Sequence, residues 1–277
     1  MMRWKTELFT AMVFAFVGTA FAFAKEPAVI PQIEVVGEFG DASQADIAAV
    51  LKSTAAELAK FVPHRREDVI RVAYSQEGPI VLYDRGPNRE YQVRLNVQGR
   101  FWSQFAYQFA HEHCHILCNY RAGKNPNKWF EESLCELASI FVVRKMSRTW
   151  QQNPPYPNWK EYHKSLADYI QKHTAEKGLP EGKTLAAWYL ENANELRKTA
   201  TDRPRNQVVA LALVPLFEQE PEHWLTVESL NAKPSTEDQS LADYLQNWET
   251  STPAKGRAFV AKIALELGLK LTPTAAE

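Results

Sequence analysis

The sequence predicts an α+β fold in which a first half mixing strands and helices is followed by an all-α second half. Two observations carry that reading. Alternation of apolar and polar residues with period two recurs up to Val97, and from Phe101 onward apolar residues return every three or four positions. A proline-rich stretch, Gln151-Gln-Asn-Pro-Pro-Tyr-Pro157, then separates the last candidate site helix from a series of helical patterns. The expected organisation is a signal segment at 1–24, an α+β domain at 25–150 and a helical subdomain at 151–277. Composition fits a packed chain: of 277 residues, 45% are hydrophobic and 23% charged. Lys+Arg (32) nearly balance Asp+Glu (33), with no run of five like charges. That balance excludes a nucleic-acid surface or a polybasic membrane patch, which need clustered positive charge.

The N-terminus reads as a secretory signal. Arg3 and Lys5 form a basic start, Leu8 to Phe23 is almost wholly apolar, and Ala22-Phe23-Ala24 offers small residues ahead of Lys25. The apolar stretch is shorter than the roughly 20 residues that span a bilayer. The expectation is an exported protein, periplasmic or secreted, with no stable membrane anchor after cleavage.

Taken in order, Val29 to Phe39 alternates like a strand, and Ala45 to Phe61 carries Ile47, Val50, Leu51, Ala55, Leu58 and Phe61 at helical spacing. Three strand-like runs follow at Val69–Tyr74, Pro79–Tyr83 and Tyr91–Val97, the last with Tyr91, Val93, Leu95 and Val97 on one face. Phe101, Trp102, Phe105, Ala106, Phe109 and Ala110 then mark an amphipathic helix reaching about Cys118. A second helix runs from about Lys128 to Lys145. Beyond the proline-rich break, helices are expected near 158–174, 184–199, 204–219, 221–231, 237–249 and 254–268, with Pro204, Pro221 and Pro253 at or near their starts.

The first of the two site helices contains His111-Glu112-His113-Cys114-His115, a His-Glu-x-x-His pattern. Residues four apart on a helix sit one turn apart on nearly the same face, so His111 and His115 converge on one cation. Glu112 lies about 100° round the axis, where it can act as a base on water activated by that cation without being a ligand. His113 faces away. Read as a strand instead, the segment would bring His111, His113 and His115 onto one face as a three-histidine site, a rival that the spacing of the preceding residues disfavours. A third ligand is expected from the second helix, where Glu132 and Glu136 share a face and Glu131 is offset from it.

His111-Glu112-x-x-His115 followed by Trp129-Phe130-Glu131-Glu132-Ser133-Leu134-Cys135-Glu136 resembles the gluzincin metallopeptidases. The resemblance covers roughly residues 91–140 and departs at Ser133 and Cys135, which stand where Gly and Ala are usual. It implies a zincin-like first half, with a mixed or antiparallel sheet and two active-site helices. It further implies Zn²⁺ held by His111, His115 and Glu132, with Glu112 as the base and Glu136 as the carboxylate orienting a ligand imidazole. Glu131 remains an alternative ligand. It also implies a sheet-edge strand that pairs with extended peptide, a role open to Tyr91–Val97, and an oxyanion-stabilising side chain from the second half. Tyr162, His163, His173, Tyr189 and His223 are the candidates.

All three cysteines, Cys114, Cys118 and Cys135, fall in the site helices. An oxidising compartment permits a Cys118–Cys135 disulfide; buried free thiols are the other reading, and zinc ligation by Cys114 a third. The function expected is hydrolysis of peptide bonds in a peptide or protein substrate by an exported zinc peptidase. The alternative is a non-catalytic exported protein whose zinc site is structural or vestigial.

Overall fold

A computed structural model describes residues 29–62, 65 and 68–272. The signal expected at 1–24 lies outside the described residues. The fold is α+β: a small mixed sheet packs against helices, and everything after residue 101 is helical or irregular. No helix among the described residues is long and apolar enough to cross a membrane.

Four strands, β1 (Ile33–Val36), β2 (Ile70–Tyr74), β3 (Ile80–Val81) and β4 (Tyr91–Leu95), lie in the order β1-β2-β4-β3. β1, β2 and β4 run parallel, with Val35 opposite Val72 and Val72 opposite Val93, while β3 pairs antiparallel with β4. β1 is shorter than its alternation suggested because Gly37, at φ +80°, turns the chain in a conformation that L side chains rarely adopt. β3 is shorter too, since Pro79 has no N–H to give to a ladder. β4 was the expected edge strand. It is instead enclosed by β2 and β3, and the edge strands are β1 and β3.

α1 (Gln44–Ala59) starts at Ser43, whose hydroxyl accepts from Asp46 N, and it buries Ile47, Val50, Leu51 and Leu58 against the sheet side of the core. α2 (Trp102–Leu117) continues the apolar stripe read in the sequence, and its helical backbone removes the strand reading of 111–115. α3 (Lys128–Thr149) is buried nearly all round, with Trp129, Phe130, Leu134, Leu137, Phe141 and Val142 fully covered. A helix apolar on every face must be surrounded. α3 accordingly packs against α1 and α2 on one side and, on the other, α4 (Tyr162–Thr174), α5 (Leu185–Lys198) and α6 (Arg203–Gln219).

The proline-rich stretch is tethered at both ends. Trp150 and Trp159 stack on one another, Trp159 also stacks on Trp102, and the Trp150 indole donates to Ser53 Oγ at 2.8 Å. One hydrophobic cluster of buried side chains runs from Ile33 to Leu267, through both halves. Pro221–Ser229 forms a 3₁₀ helix where an α-helix was expected. The Trp248 indole donates to Thr226 O at 2.7 Å, and Leu230 N turns to the carbonyl three residues back, Val227 O, at 3.0 Å. α7 (Leu241–Ser251) begins later than its pattern suggested, at the Ser240 cap, and α8 (Ala254–Glu266) follows Pro253.

Candidate metal and catalytic site

Packing of α2 on α3 brings the two halves of the sequence pattern together. His111 and His115 project from α2, and Glu131 and Glu132 answer from the first turns of α3. His111 Nε2 lies 3.3 Å from Glu132 Oε2, and His115 Nε2 lies 3.6 Å from the same oxygen. The rings of His111 and His115 are 5.0 Å apart at 69°. Two imidazole nitrogens and a carboxylate oxygen therefore point at one small volume. Cys135 adds to it: its Sγ and one nitrogen from each of His111 and His115 lie within 4.8 Å of one another.

Glu131 takes a different part. Its Oε1 is 2.6 Å from His115 Nδ1, while its Oε2 accepts from Asn231 Nδ2 at 2.9 Å. Asn231 is fixed in turn: its amide also donates to Cys118 O at 3.0 Å, and its Oδ1 accepts from Tyr244 OH at 2.9 Å. The carboxylate against the His115 ring is thus Glu131, while Glu136 lies against a different histidine, His173. Glu136 sits one turn further along α3, where it accepts from Tyr107 OH and lies 3.6 Å from His173 Nε2.

These environments set the charges. Burial alone would lower His115, but hydrogen bonds to Glu131 and Glu132 outweigh it and hold the imidazole well above the ordinary histidine value. Burial would raise Glu131 and Glu132, yet His115 beside the first and His111 and His115 beside the second hold both below the carboxylate range. Glu136 is lowered in the same way, against its burial, chiefly by His173. Glu112 goes the other way. Burial pushes its carboxyl up, and the opposing pull of His111, His115 and a backbone hydrogen bond from Val81 does not cancel that. Carboxyls perturbed in this way cluster at functional sites.

The site forms part of the wall of a cavity of about 880 Å³. One wall is β3 and its flanks, with Ile80, Val81 and Tyr83; the far wall comes from α4 and α6, with Tyr169, His173 and Arg203. Tyr120 closes the β3 side by donating to Leu82 O at 2.6 Å, and burial pushes its phenol up to about 12. Lys128 Nζ donates to Tyr83 OH at 2.7 Å and stands 3.9 Å from Glu131 Oε1.

The five second-half candidates separate. His173 lines the cavity. Tyr162 OH accepts from Ser103 N at 3.3 Å, Tyr189 stacks on Trp129, and His223 stacks on Phe259, all away from the cavity wall, where His163 is also absent. His113 stacks on Phe109 at 5.7 Å, on another face of α2 from the paired imidazoles. All three cysteines are buried free thiols, so the Cys118–Cys135 disulfide is not formed. Tyr107, Asn231 and Tyr244 join the site with no motif to announce them; of the three, only Tyr107 has a local signal, lying one turn before His111 on the same helix.

The donor set suits a divalent cation of the zinc type. With Nδ1 of His115 bonded to a carboxylate, Nε2 is the nitrogen left to present a lone pair, and it faces Glu132 Oε2 together with His111 Nε2. Two nitrogen lone pairs and a carboxylate oxygen repel unless protons or a cation lie among them. Two histidines and a glutamate are also a known catalytic zinc set. The chain matches no protein-family model, no curated protein and no solved structure.

Proposed function

We propose that the chain is an exported zinc-dependent peptidase. The observation that carries this reading is the convergence of His111 Nε2 and His115 Nε2 on one Glu132 oxygen, at 3.3 and 3.6 Å, with the buried Glu112 carboxyl alongside and an open cavity in front. His111, His115 and Glu132 hold the ion, and Glu131 keeps His115 in the tautomer that binds it. When bound, zinc lowers the pKa of a water and polarises the scissile carbonyl.

The chain's own groups supply the rest. Glu112 takes the proton from the attacking water and returns it to the leaving amine; its raised pKa brings it closer to neutrality, where both transfers are efficient. The outer edge of β3 lines the cavity and is the strand edge open to an extended peptide, in place of the enclosed β4, with the Val81 N–H already given to Glu112. His173 is the donor for the developing oxyanion, as the one of the five second-half candidates on the cavity wall. Glu136 and Tyr169 hold its ring: the first lies 3.6 Å from Nε2 and the second stacks on it at 13°.

The test is metal content with hydrolysis of a peptide library. The wild-type chain is expected to carry about one zinc and to cleave, and Glu112→Gln to keep the zinc and lose cleavage by at least ~100-fold. Cleavage retained in that variant removes Glu112 from the base role, and a wild-type chain that binds no zinc removes the enzyme reading altogether.

A further inference from the structure

Behind the imidazoles lies a second set of donors. Cys114 and Cys118 stand one turn apart on α2, and Cys135 meets them from α3. Cys114 Sγ is 3.9 Å from Cys118 Sγ, and all three sulfurs lie within 4.8 Å of one another. Each of the three residues is fully buried. Three thiols converging inside a core present their sulfurs to one small volume.

We propose that Cys114, Cys118 and Cys135 form a three-coordinate site for a soft monovalent cation of the copper(I) class, distinct from the histidine–glutamate site. The spacing supports it. A cation about 2.3 Å from each of three sulfurs in its plane sets those sulfurs about 4.0 Å apart, against 3.9 Å for the Cys114–Cys118 pair. A disulfide would instead need two sulfurs at about 2.0 Å and would strand the third thiol.

Burial selects the ion. No solvent reaches the three residues, so a cation here has three sulfur ligands and no water. Zinc in a closed site asks for four ligands, and magnesium or calcium for oxygen, whereas copper(I) is soft and accepts three thiolates. Binding one such ion releases the three thiol protons and involves no change of oxidation state. In the metal-free chain the Cys114 thiol has a partner at Leu134 O, 3.7 Å away.

Cys135 stands between the two sets of donors, its sulfur also lying within 4.8 Å of a nitrogen on each of His111 and His115.

The test uses the full chain, reduced and zinc-loaded so that the imidazoles are occupied, challenged with copper(I) in its bathocuproine disulfonate complex. One copper per chain should leave the chelator, and X-ray absorption on that sample should find three sulfur neighbours at about 2.3 Å. Cys114→Ser and Cys118→Ser, each checked for native circular dichroism, should each weaken copper capture at least ~100-fold while keeping the zinc. No transfer from the chelator, or nitrogen neighbours around the copper, overturns the proposal. The absorption measurement needs no variant, so a misfolded mutant does not protect the idea. Copper is counted without any hydrolysis, so the outcome is independent of the peptidase reading.

Discussion

Glu131 Oε1 lies 2.6 Å from His115 Nδ1, and that contact decides which nitrogen of the imidazole remains for a cation. The carboxylate fixes the ring's tautomer and its orientation together. Glu131→Gln should therefore weaken zinc binding by about 10–100-fold, measured by competition with a chromophoric chelator. Unchanged affinity would mean that Glu131 only fills space.

Glu112 carries a cost in the metal-free protein, because its carboxyl is buried and its pKa is raised by that burial. Glu112→Gln removes the desolvated charge while keeping the shape. In chelator-treated protein at neutral pH the variant should be more stable by roughly 1–3 kcal/mol in urea unfolding. A destabilised variant would show that the carboxylate is better compensated than its surroundings indicate.

His173 faces the cavity beside Glu136 and Tyr169. If it stabilises an oxyanion it acts mainly in the transition state, so His173→Phe should lower kcat by ~100-fold with KM within about twofold. A rise in KM at constant kcat would make it a substrate-binding residue instead.

The shifted groups also fix a pH profile for the metal-free chain. Glu131, Glu132 and Glu136 are lowered, so their contribution is present above the ordinary carboxylate value of about 4 and disappears as pH falls through their depressed values. His115 is raised, so its contribution is full below about 6.5 and is lost as pH rises through its folded value. Glu112, also raised, begins to subtract stability once pH rises above the ordinary carboxylate value of about 4 and does so fully above its folded value. Unfolding midpoints of the chelated protein should peak between about pH 4 and 6.5, and zinc, which displaces the His115 proton, should bind more tightly as pH rises. A maximum on the alkaline side would contradict both signs.

Phe141 is the anchor of the central helix, fully buried between Phe61 and Trp224. Phe141→Ala should cost about 3–5 kcal/mol in chemical unfolding. A loss below about 1 kcal/mol would mean that the surroundings collapse into the space.

Much of this arrangement is legible in the letters of the chain. Helical spacing from Phe101 onward placed His111 and His115 on one face, and a second helix bearing Glu132 was expected after the break at 123–127. The division of labour between Glu131 and Glu136 was not legible. Helical spacing says that residues four apart share a face, but not which of two carboxylates the neighbouring helix will turn toward a given ring. Asn231 and Tyr244 were out of reach for another reason. They lie about a hundred residues downstream of Glu131 with no pattern of their own, and packing alone delivers them. The place of β4 inside the sheet likewise depends on long-range pairing of β2 with β4, which half-buried alternation cannot foretell.

Asn231 gives the unmarked second half a share in the chemistry of the first. Its one amide ties the Glu131 carboxylate and the end of α2 at Cys118 O into a common frame. A chain that ended after Trp150 would keep the whole His-Glu-x-x-His pattern and Glu131 and still lack the amide that steadies them, so the smallest unit that holds this geometry is far longer than the stretch a motif search would pick out.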